Sequence, residues 1–164
     1  GHADFMPRST IDIELMMWLL RQYDSVTIED LLSGDGLIRI FEFLRSTERT
    51  ATAFSNGPTA ATITRAALNK SDELAVQTLD RYTRIFGAVA GNLAILTMAT
   101  GGVYVAGGIP PKIREKLGDG VFLNAFNHNQ KIGSVLRNMP VHLVLNENVG
   151  LLGAQCVGHS LVRS

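Results

Sequence analysis

A chain of 164 residues is long enough for one well-buried core and too short for two comfortable domains. Its 15 basic and 15 acidic side chains cancel, which removes the clustered Lys and Arg that a nucleic-acid binder uses to neutralise phosphate, so no nucleic-acid partner is expected. The single cysteine, Cys156, has no internal disulfide partner, the pattern of a cytoplasmic chain.

The sequence opens Gly1-His2-Ala3-Asp4, with neither an initiator Met nor a signal-peptide pattern, and a fragment or processed chain is expected. Ile11 to Gln22 is apolar at helical spacing, with Ile11, Leu15, Trp18 and Leu19 on one side. Thr27 and Asp30 have capping-box spacing and predict a short helix ending at Ser33-Gly34. Glu29 then falls in a first turn, where the helix dipole favours a carboxylate. Leu37, Ile40, Phe41 and Leu44 form the stripe of a third helix over Gly36 to Leu44. Residues 46–58 read as a loop. Thr62 to Leu68 predicts a turn or two of helix.

Ser71 is the predicted cap of a long helix whose stripe runs Leu79, Tyr82, Phe86, Val89, Leu93 and Leu96. Gly87, Ala88, Ala90, Gly91 and Ala94 keep its other faces slim, so neighbours can pack close. From Ile85 to Pro111 there is no charged residue, a stretch long enough to span a bilayer. Gly87 and Gly91 also have the spacing of a transmembrane packing motif. The glycine pairs and Pro110-Pro111 would break such a helix and leave backbone groups unpaired in lipid. A buried helix running into a buried strand is expected, and no membrane partner.

That strand is predicted at Val103 to Ala106 and a second at Val141 to Leu145. Short helices are predicted over Lys112 to Leu117, Val121 to Phe126 and Ile132 to Arg137, and a final one from about Val149 to Val162. Strands followed by helices favour parallel pairing with right-handed crossovers. The fold class is a helix-rich α/β domain, and because two strands alone make a poor sheet, more strands are expected from elsewhere.

The first strand ends on Gly107 and Gly108 and is stopped by the prolines. A glycine pair there lets the backbone turn sharply and approach a ligand, at the sheet edge where α/β proteins bind nucleotides. A tight turn before Pro110 is the alternative, and both stay open. Gly101 and Gly102 join the long helix to its strand. His2 and Asp4 place an imidazole near a carboxylate, fit for ligand hydrogen bonds or for nothing more than a frayed terminus. His128, His142 and His159 are scattered, and no metal held by protein ligands alone is expected. Asn146 to Gly153 offers amides at a helix start, able to hold an anion or merely to turn the chain. Lys112, Arg114 and Lys116 recur near the glycine pair, either to meet phosphate or as a solvated helix face. No serine-nucleophile elbow, P-loop or dinucleotide fingerprint occurs.

Several of these segments, taken in order, resemble one family. Gly1-His2-Ala3-Asp4-Phe5-Met6-Pro7 is similar to the segment of bacterial glucokinases in which Glu-Gly-Gly-His precedes Phe-Ala-Pro. Val26-Thr27-Ile28-Glu29 through Ser33-Gly34 resembles the family's Ser-x-Glu motif ending in Leu-Ser-Gly. Gly91 to Ala94, Gly101 to Ile109, and Pro140 to Gly153 match its later blocks.

The resemblance implies an actin-like, ribonuclease-H-like fold, with residues 1–164 as the carboxyl-terminal part of the large domain and the first antiparallel strands missing. It implies transfer of the γ-phosphoryl of ATP to the 6-hydroxyl of glucose, in glycolysis. His2 and Glu29 would bind glucose, and Gly107 and Gly108 would turn beside the adenosine of ATP. Mg²⁺ would be held mainly through the ATP phosphates. The family's general-base Asp lies upstream of its His motif, so no catalytic residue is expected in this chain, and the chain alone should not turn over. One departure is Asn127 to Gly133, where the family has Lys-Gly-Arg and this chain reads Lys131-Ile132-Gly133. Two other readings stand beside the kinase. One is a sugar-sensing regulator of the same superfamily, against which the lone cysteine argues. The other is a dimerising module built on the slim Tyr82 to Leu96 helix, which also leaves a homodimer open for the kinase.

Overall fold

The computed structural model describes residues 1–47, 50, 52–55 and 57–162. Most of the predicted loop at 46–58 lies among these, although Ser46 and Thr47 still belong to the preceding helix and residues 48, 49, 51 and 56 lie outside the described set. Helix α1 (Thr10–Leu20) starts where the Ser9 hydroxyl accepts the Asp12 amide, and it buries Leu15 and Leu19. Helix α2 (Gly34–Thr47) buries Leu37, Ile40, Phe41, Phe43 and Leu44 on one side. Helix α3 (Ala60–Leu68) is capped by Thr59.

Helix α4 (Glu73–Thr97) is the spine of the fold. Its cap is Asp72, whose Oδ1 accepts the Ala75 amide at 2.8 Å; Ser71, the predicted cap, instead donates its hydroxyl to Ala66 O. Met98, in the left-handed conformation at φ 47°, stops the helix. The amino-terminal half of α4 packs with α1, α2 and α3 in a first core cluster that includes Phe5, Phe41, Phe43, Ile63 and Tyr82. Each fully buried large side chain of this kind stabilises the fold by about 1.5–3 kcal/mol. The carboxyl-terminal half carries Ala90 and Ala94 into a second cluster with Val105, Phe122, Phe126, Leu136 and Met139. The predicted stripe is buried only in its first part: Leu79 and Tyr82 are inside, whereas Leu93 and Leu96 are 54% and 78% exposed.

Strands β1 (Val103–Val105) and β2 (Val141–Leu143) form a parallel pair, with Tyr104 opposite His142. This register turns Val105 into the second cluster, with Val103, Val141 and Leu143 packed against it. On the opposite face Tyr104 and His142 stack at 4.8 Å. The crossover between the strands holds a 3-10 turn at Pro110–Ile113 and three helices, α5 (Arg114–Leu117), α6 (Val121–Asn127) and α7 (Gly133–Leu136). Helix α6 lies directly on α4: a Cβ at Gly91 would sit 2.5 Å from Phe126 O, so glycine is needed for that approach. The last helix, α8 (Val149–Val162), keeps Leu151, Leu152 and Val157 exposed.

Among the described residues no helix is long and apolar enough to cross a membrane. The charge-free stretch from Ile85 is divided among α4, β1 and the turn that follows. The helix predicted from Thr27 to Ser33 is absent. Those residues form successive turns, and helix begins only at Gly34.

Candidate functional site

The chain's first residues are tied down rather than frayed. Phe5 N donates to Val26 O, Ile28 N to Ala3 O and Glu29 N to Gly1 O, each at 2.9 Å, and Asp4 bridges Thr27 in antiparallel sense. This ladder sets His2 beside Glu29, with His2 Nδ1 3.3 Å from Glu29 Oε2. Imidazole and carboxylate thus stand within contact distance of each other, two polar groups able to meet a further partner together. The two side chains are 86% and 56% exposed, so the pair faces solvent. Gly1 contributes by its missing side chain, because a Cβ there would meet Glu29 Oε2 at 2.9 Å.

Since residues 27–33 are turns, no helix dipole acts on Glu29, contrary to the expectation from the capping-box spacing. The reciprocal bonds of that box do form. Thr27 N and Oγ1 donate to Asp30 Oδ2 at 2.9 and 2.7 Å, and Asp30 N reaches back to Thr27 Oγ1. Arg39 of α2 lies against Asp30 Oδ1 at 3.4 Å and donates to Asp30 O at 3.0 Å. The Thr27 hydroxyl and amide, with smaller help from the charges of Arg39 and His2, hold the Asp30 carboxyl below its usual range despite some burial. The sequence offers Asp30 only as the capping-box partner of Thr27, and nothing local points to Arg39.

Gly107 and Gly108 follow β1 at an exposed corner. Gly107 has φ +121°, a conformation other residues resist, and nothing lies within 4 Å of a Cβ built at Gly108. The corner is open. Just beyond it, Ile109, Lys112 and Ile113 line a cleft of about 460 Å³, with Leu37 and Tyr82 among its other walls. Burial pushes the Tyr82 phenol up to about 12. Gly101 and Gly102 serve as the junction: Gly102, at φ +114°, donates its amide to Ala99 O.

A larger cleft of about 540 Å³ is lined by Ala3, Asp4 and Ile28, next to the His2–Glu29 pair, and by Asn92, Leu93 and Leu96 of α4. Arg8 crosses its wall, donating to Asn92 Oδ1 and to Ala125 O. Lys116 is neither free for phosphate nor on a solvated face, because it pairs with Asp80 and Asp119. Lys112 lines the cleft beside the glycine corner, and Arg114 a smaller one near α6. Asn146 caps its own turn by accepting the Asn148 amide at 2.9 Å, and Asn129 does the same for Lys131 and Ile132. Among the described residues no group of three His, Cys, Asp or Glu has metal-site geometry.

Comparison with known proteins gives this geometry a context. The glucokinases of Trichormus variabilis and Synechocystis sp. are 35% and 38% identical to the chain, each aligned over 94% of it but over only 51% and 49% of their own length. The chain thus spans about half the length of the curated relatives it matches. The crystal structure of a glucokinase from an Antarctic psychrotroph superposes with TM-score 0.85 at 26% identity, covering 98% of this chain and 49% of that one. A Balamuthia mandrillaris glucokinase solved in complex with glucose shares the fold, with TM-score 0.77 at 17% identity over 87% of this chain and 41% of its own. A family model for glucokinase matches residues 1–161, and the chain belongs to the glucokinase family.

Proposed function

We propose that this chain provides the glucose-binding wall and the adenosine-side corner of an enzyme that transfers the γ-phosphoryl of ATP to the 6-hydroxyl of glucose, giving glucose 6-phosphate. The observation that carries the reading is the His2–Glu29 pair, laddered into one place and open to solvent. A carboxylate oxygen and an imidazole nitrogen side by side can accept from one sugar hydroxyl and engage its neighbour. A site built to satisfy hydroxyls in this way discriminates strongly against analogues that lack one. Gly107 and Gly108 give the nucleotide a corner without side chains, and the cleft lined by Ile109 and Lys112 offers an apolar wall with a cation at its rim. Mg²⁺ would arrive with the nucleotide, bridging its phosphate oxygens. The proton acceptor for the attacking hydroxyl is assigned to no residue of this chain. Residues 1–164 act in this reading as the carboxyl-terminal part of the large domain of a cytoplasmic enzyme, with glucose and ATP as partners and a homodimer as the assembly left open.

The test is Glu29→Gln in the complete polypeptide that contains this chain, assayed by coupled glucose-dependent ATP turnover. Loss of one charge-assisted hydrogen bond predicts a fall in kcat/KM of about 10- to 100-fold. A variant that keeps the parent's efficiency removes Glu29 from the sugar site and the reading with it.

A further inference from the structure

The Glu29 carboxylate raises a physical question that its pairing with His2 leaves unanswered. Both side chains are largely exposed, and a free glutamate loses about 1.5–2 kcal/mol of rotamer entropy on being fixed. No helical ladder holds the backbone beneath it, since residues 27–33 are turns. The main-chain bonds of Ile28 and Glu29 to Ala3 and Gly1 hold one side of that turn, and a second set of bonds holds the other.

We propose that Thr27, Asp30 and Arg39 are positioning residues for Glu29, a clamp that fixes the sugar-facing turn to the hydrophobic core through α2. This rests on the glucose reading of the His2–Glu29 pair and goes beyond it by saying what orients the carboxylate. Thr27 and Asp30 close the turn on both sides of Glu29 through reciprocal bonds at 2.7–3.4 Å. Arg39 then holds Asp30 at two points, the carboxylate and the main-chain carbonyl. Its own guanidinium is fixed in turn: it lies 5.2 Å from the Tyr23 ring centroid, and its Nε donates to the Tyr23 hydroxyl at 3.3 Å. The backbone it springs from cannot drift, because neighbouring Leu37, Ile40 and Phe41 are all buried.

The experiment measures glucose Kd by calorimetry, KM for ATP and Tm in the complete polypeptide, for Asp30→Ala, Arg39→Ala, Glu29→Gln and the double variant Asp30→Ala/Glu29→Gln. Asp30→Ala is expected to weaken glucose binding about tenfold, the scale of one lost charge-assisted bond, with ATP KM within about twofold. In the Glu29→Gln background the same change should weaken glucose by less than about twofold, because a positioning residue has nothing left to position. Arg39→Ala should repeat the pattern, so that one variant's failure to fold does not remove the test. If Glu29→Gln weakens glucose binding but Asp30→Ala and Arg39→Ala leave it within twofold, or weaken it equally in both backgrounds, the clamp is overturned and the sugar reading stands. If Glu29→Gln leaves glucose binding intact, the sugar reading itself fails and the clamp with it.

Discussion

Replacing Gly91 by alanine tests the close contact on which the second core cluster is built. The new Cβ would lie 2.5 Å from Phe126 O, about 0.9 Å inside ordinary van der Waals contact, and 3.2 and 3.3 Å from the carbonyl carbon and Cα of the same residue. All three are backbone atoms, so no side-chain rotation relieves the overlap, and α6 must retreat from α4. Retreat loosens Phe126 and Phe122, which are 1% and 3% exposed, and the edge-on contact of Phe86 with Phe122 at 5.4 Å. Overpacking of this severity costs about 3 kcal/mol, while alanine in a helix gains about 1 kcal/mol over glycine. The net loss of about 2 kcal/mol corresponds to a Tm lower by about 4–8 °C for a chain of this size. Gly153→Ala on α8 is the control: nothing lies within 4 Å of its Cβ, so only the propensity term acts and Tm should rise by about 2 °C. Thermal unfolding followed by circular dichroism reads both. If Gly91→Ala raises Tm as the control does, glycine is not required where α4 meets α6.

Two further outcomes follow from the electrostatics and from the open corner. Burial opposes the charge of Asp72, only 6% exposed, but donors from Ala53, Ala75 and Thr52 outweigh it and hold the carboxyl below its ordinary value. A folded value below the unfolded one gives stabilisation that is complete above the unfolded value and lost as pH falls through the folded one. Asp72→Asn should therefore cost about 1–2 kcal/mol at neutral pH and flatten the acid loss of stability between roughly pH 5 and pH 2, as measured by urea unfolding across that range. At the glycine corner, Gly108→Ala has room for its methyl and no left-handed backbone to strain, so Tm should hold within about 1 °C while KM for ATP rises several-fold in the complete polypeptide. An unchanged ATP KM would take the corner away from the nucleotide.

Much of the fold was legible because its signals are periodic or steric. The Gly87 and Gly91 spacing pointed to a close neighbour, and α6 is there. The strand-then-helix order gave a parallel pair, and α8 begins and ends where its apolar run does. Apolar periodicity, however, says which residues share a face and not whether anything covers it, which is why Leu93 and Leu96 were expected inside and are exposed. The turn at Glu29 was misread for a different reason. Capping-box spacing is shared by helix starts and by isolated turns, and what separates them is where the following amides go. Here the amides of Ile28 and Glu29 are taken by Ala3 and Gly1, partners a whole helix earlier in the chain, so the helix waits until Ser33 accepts the Gly36 amide. The pairings of Lys116 with Asp80 and of Arg39 with Asp30 are invisible in the sequence for the same reason, since nothing in either local pattern points to the partner.

The site shares this mixture of local and long-range causes. His2 and Glu29 each sit in a recognisable motif, yet their meeting depends on an antiparallel ladder between segments separated by α1, with Phe5 at its end anchored in the first cluster. Gly107 and Gly108 depend instead on β1, whose Val105 is anchored in the second. Helix α4 belongs to both clusters, contributing Leu74, Leu79 and Tyr82 to one and Ala90 and Ala94 to the other. One rigid element therefore underlies both proposed half-sites. For the phosphoryl transfer proposed above, where most of the catalysis is the placement of two substrates relative to each other, a single continuous helix beneath the proposed sugar and nucleotide sites would be a direct physical means of fixing that placement.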